Sequence, residues 1–301
     1  MKQQKQEQPS AETPKKRSKL RVVLIVLIAV ILAGAAGFSA YKLIGIYSEY
    51  HESEVAYRSI NDQFVIAPRT PNPNATDSVP LAPGGSSGPA QPVPSFDPSD
   101  PNATFDPELW AEAGCAPIGV DFEKLQAVNE ECVGWIYIPD TNVSFPVMRA
   151  KNNSKYLNRL LDGTRNSAGS IFMDCRCNPD LSDRNVILYG HNMHSGEMFS
   201  QLRYYRGKEF FFEHQIGYYL TPDADYEITF VVCKTVNATG TTYSLFEDDE
   251  ALISYLKGAR KHAHVTAEFE PEDAERIFTL STCTNGGEMR LVLLGIPKKL
   301  G

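Results

Sequence analysis

The longest hydrophobic segment of the chain lies near the N-terminus and contains no charged residue. It spans residues 22–41 (VVLIVLIAVILAGAAGFSAY) and is bracketed by Arg21 and Lys42. Twenty residues at helical rise cover about 30 Å, the thickness of a bilayer's hydrocarbon core. The pattern predicts one transmembrane signal-anchor helix. A buried core helix and a signal peptide cleaved near residues 33–35 (AGA) are the alternatives.

Charge is distributed unevenly on the two sides of this segment. Residues 1–21 carry seven Lys and Arg against two Glu, a net charge of +5, while the other 280 residues, with 22 basic and 35 acidic groups, carry −13. The positive-inside rule therefore predicts a cytoplasmic basic tail at 1–21 and a single-pass protein whose remainder lies outside the plasma membrane. Because so acidic a body repels phosphate backbones, we expect no nucleic-acid partner.

Two segments of different composition follow the apolar run. Residues 42–66 mix charged positions with spaced apolar ones and predict a juxtamembrane helix of modest amphipathicity. Residues 67–108 contain eleven of the chain's twenty prolines and a GGSSG stretch, with almost nothing to bury. This composition predicts a disordered, Pro-rich spacer that holds a domain away from the membrane.

The remainder, residues 109–301, has the size of one domain and is dominated by short β-type runs. Helical spacing predicts helices at 121–129 and 247–261. The predicted strands are 135–138, 144–148, 170–173, 186–189, 217–220, 226–236, 276–281 and 290–295. Eight strands with inserted helices indicate a mainly β fold, either a barrel or a sandwich.

Cys283 differs from the other cysteines in its surroundings. It ends a predicted strand, a turn (NGG) follows, and Arg290 opens the next strand seven residues later. A hairpin of this kind brings a guanidinium beside a thiol, where it favours the thiolate and can donate hydrogen bonds to an oxyanion. Taken alone, the pair is equally well explained as a buried cysteine and a surface arginine.

His191 ends another apolar strand, in the sequence Tyr-Gly-His, where a strand meets a loop. Imidazole changes charge near neutral pH, so this position suits a general acid and base. A merely polar loop histidine is the alternative. His194 lies three residues on, but the sequence offers no third ligand to complete a metal site, and we expect no metal or organic cofactor.

Together these motifs resemble the active-site signature of the sortases, and several further segments resemble class B in particular. The matching segments are 120–125, 133–139, 155–158, 168–174, 186–191 and 279–283, with Arg290. The predicted helix at 247–261 matches the helix that class B members insert before their last strands. The likeness covers about residues 120–295, which is nearly the whole domain.

The resemblance implies the sortase eight-stranded β-barrel and a thiol transpeptidase on the outer face of a Gram-positive-type membrane. By carry-over, Cys283 attacks the threonine carbonyl of a C-terminal sorting motif and forms a thioacyl intermediate. His191 protonates the leaving amine, and Arg290 holds the substrate backbone and the oxyanion. Tyr189 and Ser281 match positions that line the substrate groove.

The acceptor and the exact specificity stay open at this stage. Transfer to a cell-wall precursor amine is the first expectation, and transfer to a lysine of another pilin subunit is the alternative. Thr284 and Asn285 stand where class B members often carry acidic residues, and the Cys-to-Arg loop is short. Both departures bear on which motif or amine is accepted.

Two other classes of protein compete with the transpeptidase. Papain-type and cell-wall peptidases place the cysteine before the histidine, whereas here His191 precedes Cys283 by 92 residues. A non-catalytic surface module would also use an anchor and a stalk. A catalytic thiol must stay free, so we expect Cys283 to be reduced. The sequence leaves open the pairing of the other cysteines, which are Cys115, Cys132, Cys175, Cys177 and Cys233.

Overall fold

The structure is a computed structural model that describes residues 19–66, 114–284 and 287–300. The predictions for residues 1–18 and for the spacer at 67–108 lie outside the described residues, as does the centre of the NGG turn at 285–286. The chain divides into two compact units, Met1–Ser48 and Glu49–Gly301.

The first element is one helix, α1 (Lys19–Phe64), of 46 residues. Within its Arg21–Phe64 stretch, the best 18-residue window has a mean hydropathy of 2.8 and is entirely unburied. The helix is therefore long and apolar enough, by length and composition, to cross a membrane. The segment boundaries proposed at 21/22, 41/42 and 66/67 stay predictions.

The second unit is built mainly of strands, with short helices between them. The strands are β1 (Val65–Ile66), β2 (Gly119–Val120), β3 (Cys132–Tyr137), β4 (Ser144–Met148), β5 (Ile171–Met173), β6 (Asn185–Gly190), β7 (Ile216–Leu220), β8 (Asp225–Asn237), β9 (Val265–Thr266), β10 (Ile277–Cys283) and β11 (Met289–Lys299). The further helices are α2 (Phe122–Val128), α3 (Lys208–Glu213) and α4 (Asp249–Ala259), and a 3₁₀ segment covers Phe199–Arg206.

Eight of these strands close into a barrel. Their order is β11-β10-β6-β5-β4-β3-β7-β8, and β8 pairs back onto β11 along the whole of β11. β9 extends the sheet beside β8, while β1 and β2 form a separate antiparallel pair. The predicted eight-stranded barrel is thereby confirmed, and each of the eight predicted strands overlaps one of the barrel strands.

The two predicted helices begin where acidic side chains cap them. The Asp121 carboxylate accepts from the Lys124 backbone N–H (3.1 Å) at the start of α2. At α4 the Asp248 carboxylate accepts from the Ala251 N–H (2.8 Å), and Lys257 lies in the last turn. Caps of this kind satisfy backbone donors that have no partner inside the helix, and they suit the helix dipole.

One large apolar cluster fills the barrel interior. Because side chains alternate between the two faces of a strand, every second residue of a barrel strand points into this cluster. In β10, Phe278 and Leu280 belong to this cluster, whereas Thr279, Ser281 and Cys283 lie on the opposite face. The arrangement leaves polar and reactive side chains on the outer face of a strand whose inner face is fully buried.

The last turns of α1 belong to the second unit. Tyr57 is only 4% exposed and packs edge-on against Phe145, with ring centroids 5.2 Å apart. The Tyr57 hydroxyl donates to the Gly169 carbonyl, and Asn61 Nδ2 donates to the Ser144 carbonyl (3.0 Å). These contacts join the end of the helix to the barrel through both apolar packing and hydrogen bonds.

Candidate active site

Backbone register brings Cys283, His191 and Arg290 to one end of the barrel. β10 lies between β6 and β11, and in the β10–β11 pair Cys283 is directly opposite Arg290. In the parallel β6–β10 pair Thr282 is opposite Gly190. The next residue of each chain segment, Cys283 and His191, therefore lies at the same end of the sheet. All three side chains are half-buried. His191, which precedes Cys283 by 92 residues, is thereby brought to the same end of the barrel as the Cys283–Arg290 pair.

A cavity of about 200 Å³ collects these residues. Its lining includes Cys283, His191, Arg290, Tyr189 and Ser281, which are all five of the site residues predicted from sequence. Further lining residues are Leu157, Phe172 and Tyr243. The cavity thus joins a thiol, an imidazole and a guanidinium to an aromatic wall.

His191 is oriented by a backbone carbonyl. Its Nε2 lies 2.7 Å from the oxygen of Leu157, which belongs to the 3₁₀ turn Lys155–Asn158 between β4 and β5. Since a carbonyl can only accept, Nε2 carries the proton in this bond, and Nδ1 is left to exchange a proton with another group. The neighbouring Asn192 donates through Nδ2 to the Cys283 carbonyl (2.9 Å), which ties the histidine loop to the end of β10.

Arg290 uses one of its nitrogens to brace the turn that precedes it. Nη1 donates to the Gly287 carbonyl (2.6 Å) and to the Met289 carbonyl (3.1 Å). Its Nε and Nη2 donate to no residue of the described chain, so they are available to a substrate oxygen. Burial raises the pKa of Tyr243, while its hydrogen bond with Ser281 and the positive charge of Arg290 act to lower it.

The aromatic wall of the cavity is held by hydrogen bonds behind it. Tyr189 stacks on Tyr243 with ring centroids 6.1 Å apart, and Tyr243 shares a 3.0 Å hydrogen bond with the buried Ser281 hydroxyl. The Tyr189 hydroxyl donates to Asp174 (2.9 Å). The Arg176 side chain in turn donates twice to Asp174 and once to the Tyr243 carbonyl (3.0 Å). Asp174 and Arg176 thus position both tyrosines.

Gly190 explains why the Tyr-Gly-His sequence suits this site. A Cβ at that position would lie 2.5 Å from Ile171 Cδ1 and 2.7 Å from the Phe199 ring. Any side chain would therefore push the 3₁₀ segment away from β6 and displace His191 with it.

Asp174→Asn is expected to lower the free energy of unfolding by about 1–3 kcal/mol near pH 7, because a buried acceptor of charged hydrogen bonds is lost. Burial acts to raise the pKa of Asp174, but hydrogen bonds from Arg176 and Tyr189 outweigh it and hold the pKa below its ordinary 3.8. The stabilisation is therefore present above pH 3.8 and is lost as pH falls further.

Thermal unfolding of both proteins near pH 7 and near pH 3 checks this expectation, with the exposed Asp223→Asn as the control. The difference in unfolding temperature between wild type and Asp174→Asn should be smaller near pH 3 than near pH 7. Asp223→Asn should unfold at the wild-type temperature at both pH values. An equal gap at both pH values would contradict the assigned ionisation of Asp174.

Several residues of the site were not predicted from the sequence. Tyr243 lines the cavity, and Asp174 and Arg176 lie behind it and hold its two tyrosines. Asp174 ends the segment 168–174 that resembles class B, but the resemblance gave it no role. Asn192 follows His191 directly and was the one residue that its position could have suggested.

All six cysteines are free thiols in the structure, so none of the cysteines whose pairing the sequence left open forms a disulfide. Over the described ranges, no three His, Cys, Asp or Glu side chains are grouped to hold a metal ion.

Comparison with known proteins gives one consistent result. The family model described as "Sortase domain" matches residues 136–297. Sortase B of Listeria monocytogenes is 34% identical over 164 residues, which cover 54% of this chain and 67% of the relative. Sortase B of Staphylococcus aureus is 31% identical over 163 residues, with the same coverage of both chains. The structure of the Staphylococcus aureus sortase B–substrate complex superposes with a TM-score of 0.56 at 28% identity, covering 60% of this chain and 85% of that one.

The closed barrel and the family match show that the chain belongs to the sortase family, whose members are cysteine transpeptidases. Both curated relatives and the superposed structure are sortase B proteins, so the chain is a class B member. The resemblance noted in the sequence is thereby confirmed.

Proposed function

We propose that this class B sortase cleaves a C-terminal sorting motif of secreted proteins after threonine and transfers the acyl group to an amine of a cell-wall precursor. The observation that carries the proposal is the register that sets Cys283 opposite Arg290 and beside β6, the strand that His191 directly follows. A thiol, an acid–base group and an oxyanion donor are the parts that acyl transfer requires.

The first half-reaction is the acylation of Cys283. The thiolate forms a bond to the threonine carbonyl carbon, and Arg290 donates from its free nitrogens to the tetrahedral oxyanion. When the scissile C–N bond breaks, His191 gives a proton to the departing amine. With Nε2 held by Leu157, the proton leaves from Nδ1.

The second half-reaction reverses these roles. The incoming amine attacks the thioester carbonyl and passes a proton to His191, a new C–N bond forms, and the C–S bond breaks to restore the thiolate. The aromatic wall of Tyr189 and Tyr243 supports the binding of a peptide backbone and its apolar side chains in the cavity.

The proposed location follows from α1. A helix of this length and composition supports a single-pass anchor in the plasma membrane, and the basic residues before it support a cytoplasmic N-terminus. The enzyme would then meet secreted proteins and cell-wall precursors on the outer face.

The proposal is tested by trapping the acyl-enzyme. We expect the full-length chain in detergent, incubated with a library of threonine-containing sorting peptides, to gain the mass of the acyl fragment, which hydroxylamine should release. The adduct should map to Cys283. If a broad library gives no adduct on a protein that unfolds cooperatively, the transpeptidase proposal fails.

A further inference from the structure

A second cavity, of about 310 Å³, borders Cys283. It shares only Cys283 and Thr282 with the cavity that contains His191. The rest of its wall includes His194, Arg203 and Arg206. At about 30 Å³ per water molecule, the space equals that of about ten waters, enough for a small polar group and the chain that bears it. Cys283 therefore stands between two cavities of different character.

The second cavity is positively charged. Arg203 and Arg206 are three residues apart on the 3₁₀ segment Phe199–Arg206, a spacing that places both on one side of a 3₁₀ helix. No carboxylate lines the cavity, and neither guanidinium forms an ion pair with any residue of the described chain. This contrasts with the net charge of −13 carried by the part of the chain that follows residue 21.

Two further observations mark the cavity as built to receive a polar ligand. The Thr282 side chain is only 2% exposed, and its hydroxyl has no hydrogen-bond partner among the residues that the structure describes. Arg203 is held by stacking on Tyr204, with its guanidinium carbon 4.9 Å from the ring centroid, and by a 3.0 Å hydrogen bond to the Tyr204 hydroxyl.

The order of the reaction gives this cavity a role, and here the inference rests on the proposed function. Once Cys283 is acylated, the sorting peptide fills the cavity with the aromatic wall. The acceptor amine must then reach the thioester from another direction, and the second cavity also borders Cys283. Paired guanidinium groups recognise carboxylates through charge-assisted hydrogen bonds.

We propose that the second cavity binds a carboxylate that belongs to the amine acceptor, and that Arg203 and Arg206 make this contact. The acceptor is then a small peptide or amino-acid amine with a carboxylate close to it. A lysine on the surface of a folded protein subunit has no carboxylate fixed beside its amine and fits the cavity less well. The two arginines select the acceptor and are not required for acylation.

The test separates acylation from transfer. Full-length protein is acylated with a sorting peptide, and the partition between aminolysis and hydrolysis is measured with matched acceptors. The pairs are triglycine and its C-terminal amide, Nα-acetyl-lysine and its amide, and O-phosphoethanolamine and ethanolamine. We expect wild type to use the carboxylates about tenfold better than the amides, and Arg203→Gln/Arg206→Gln to reduce this preference to near unity. The acylation rate should stay unchanged.

Lys208→Gln removes a neighbouring exposed charge outside the cavity and should keep the wild-type preference. This inference is overturned if wild type uses the carboxylate and amide acceptors equally, or if the preference for carboxylates survives the double substitution. In either case normal acylation leaves the proposed function standing. A larger preference for O-phosphoethanolamine over ethanolamine overturns the carboxylate assignment. Absence of any acyl-enzyme in wild type defeats both proposals together.

Discussion

Cys283→Ala is expected to lower transpeptidation by at least about 10,000-fold, to the limit of detection, because the covalent route through the thioester disappears. Alanine retains the Cβ and keeps the backbone pairing with Arg290 and the hydrogen bond from Asn192 to the Cys283 carbonyl. The fold should therefore survive, and thermal unfolding should match that of wild type within about 1 kcal/mol. Product formation and intact mass are the measurements.

Cys175→Ala is the matched control, since Cys175 is the other half-buried free thiol of the chain. This variant should retain the acyl-enzyme adduct and most of the turnover. If Cys283→Ala kept substantial turnover, or if the adduct moved to another cysteine, the assignment of the nucleophile would be wrong. A chain whose cell-surface role was unaffected by Cys283→Ala would instead be the non-catalytic surface module.

Arg290→Lys is expected to reduce kcat by about 100- to 1,000-fold, the usual effect of losing one oxyanion donor. Lysine keeps the positive charge but lacks the planar fork, so it cannot brace the turn carbonyls with one nitrogen and offer others to the substrate. Because Arg290 is only half-buried, stability should change little. Steady-state kinetics, together with thermal unfolding, distinguish the two effects.

Arg159→Lys is the appropriate control for this substitution. Arg159 is exposed, and its Nη1 donates to the Gly163 carbonyl (2.8 Å) much as Arg290 Nη1 donates to Gly287. The control should show wild-type turnover. A loss of turnover in Arg290→Lys alone would then be due to its contact with the substrate and not to the loss of a bond from an arginine to a turn carbonyl. Near-normal turnover in Arg290→Lys itself would mean that this arginine is structural only.

Local pattern predicted the elements of the barrel because each strand carries its own signal. The strand predicted at 144–148 coincides with β4, and the helix predicted at 247–261 contains α4 (Asp249–Ala259). The segment Phe199–Arg206 and the following α3 were not assigned, since an aromatic-rich run with charges at irregular intervals has no clear period. Its helical form depends on packing against the end of the barrel.

The proposed catalytic residues and their surroundings differ in how far the sequence could predict them. Cys283 ends β10, His191 directly follows β6 and Arg290 is the second residue of β11, so their positions follow from strand boundaries once the family resemblance is noted. The parallel pairing of β6 with β10, which sets His191 beside Cys283, joins strands about 90 residues apart and follows no local rule. Arg203 and Arg206 depend on the same long-range contacts.

The docking of the end of α1 on the barrel has a practical consequence for preparing a water-soluble enzyme. A fragment that started at residue 109 would lack Tyr57 and Phe64, and would leave Phe145 uncovered together with the Gly169 and Ser144 carbonyls that α1 engages. Starting the expressed chain near Glu49 removes the apolar part of α1 and preserves these contacts. The last turns of α1 are thus a structural part of the barrel domain and belong in any fragment made for solution experiments.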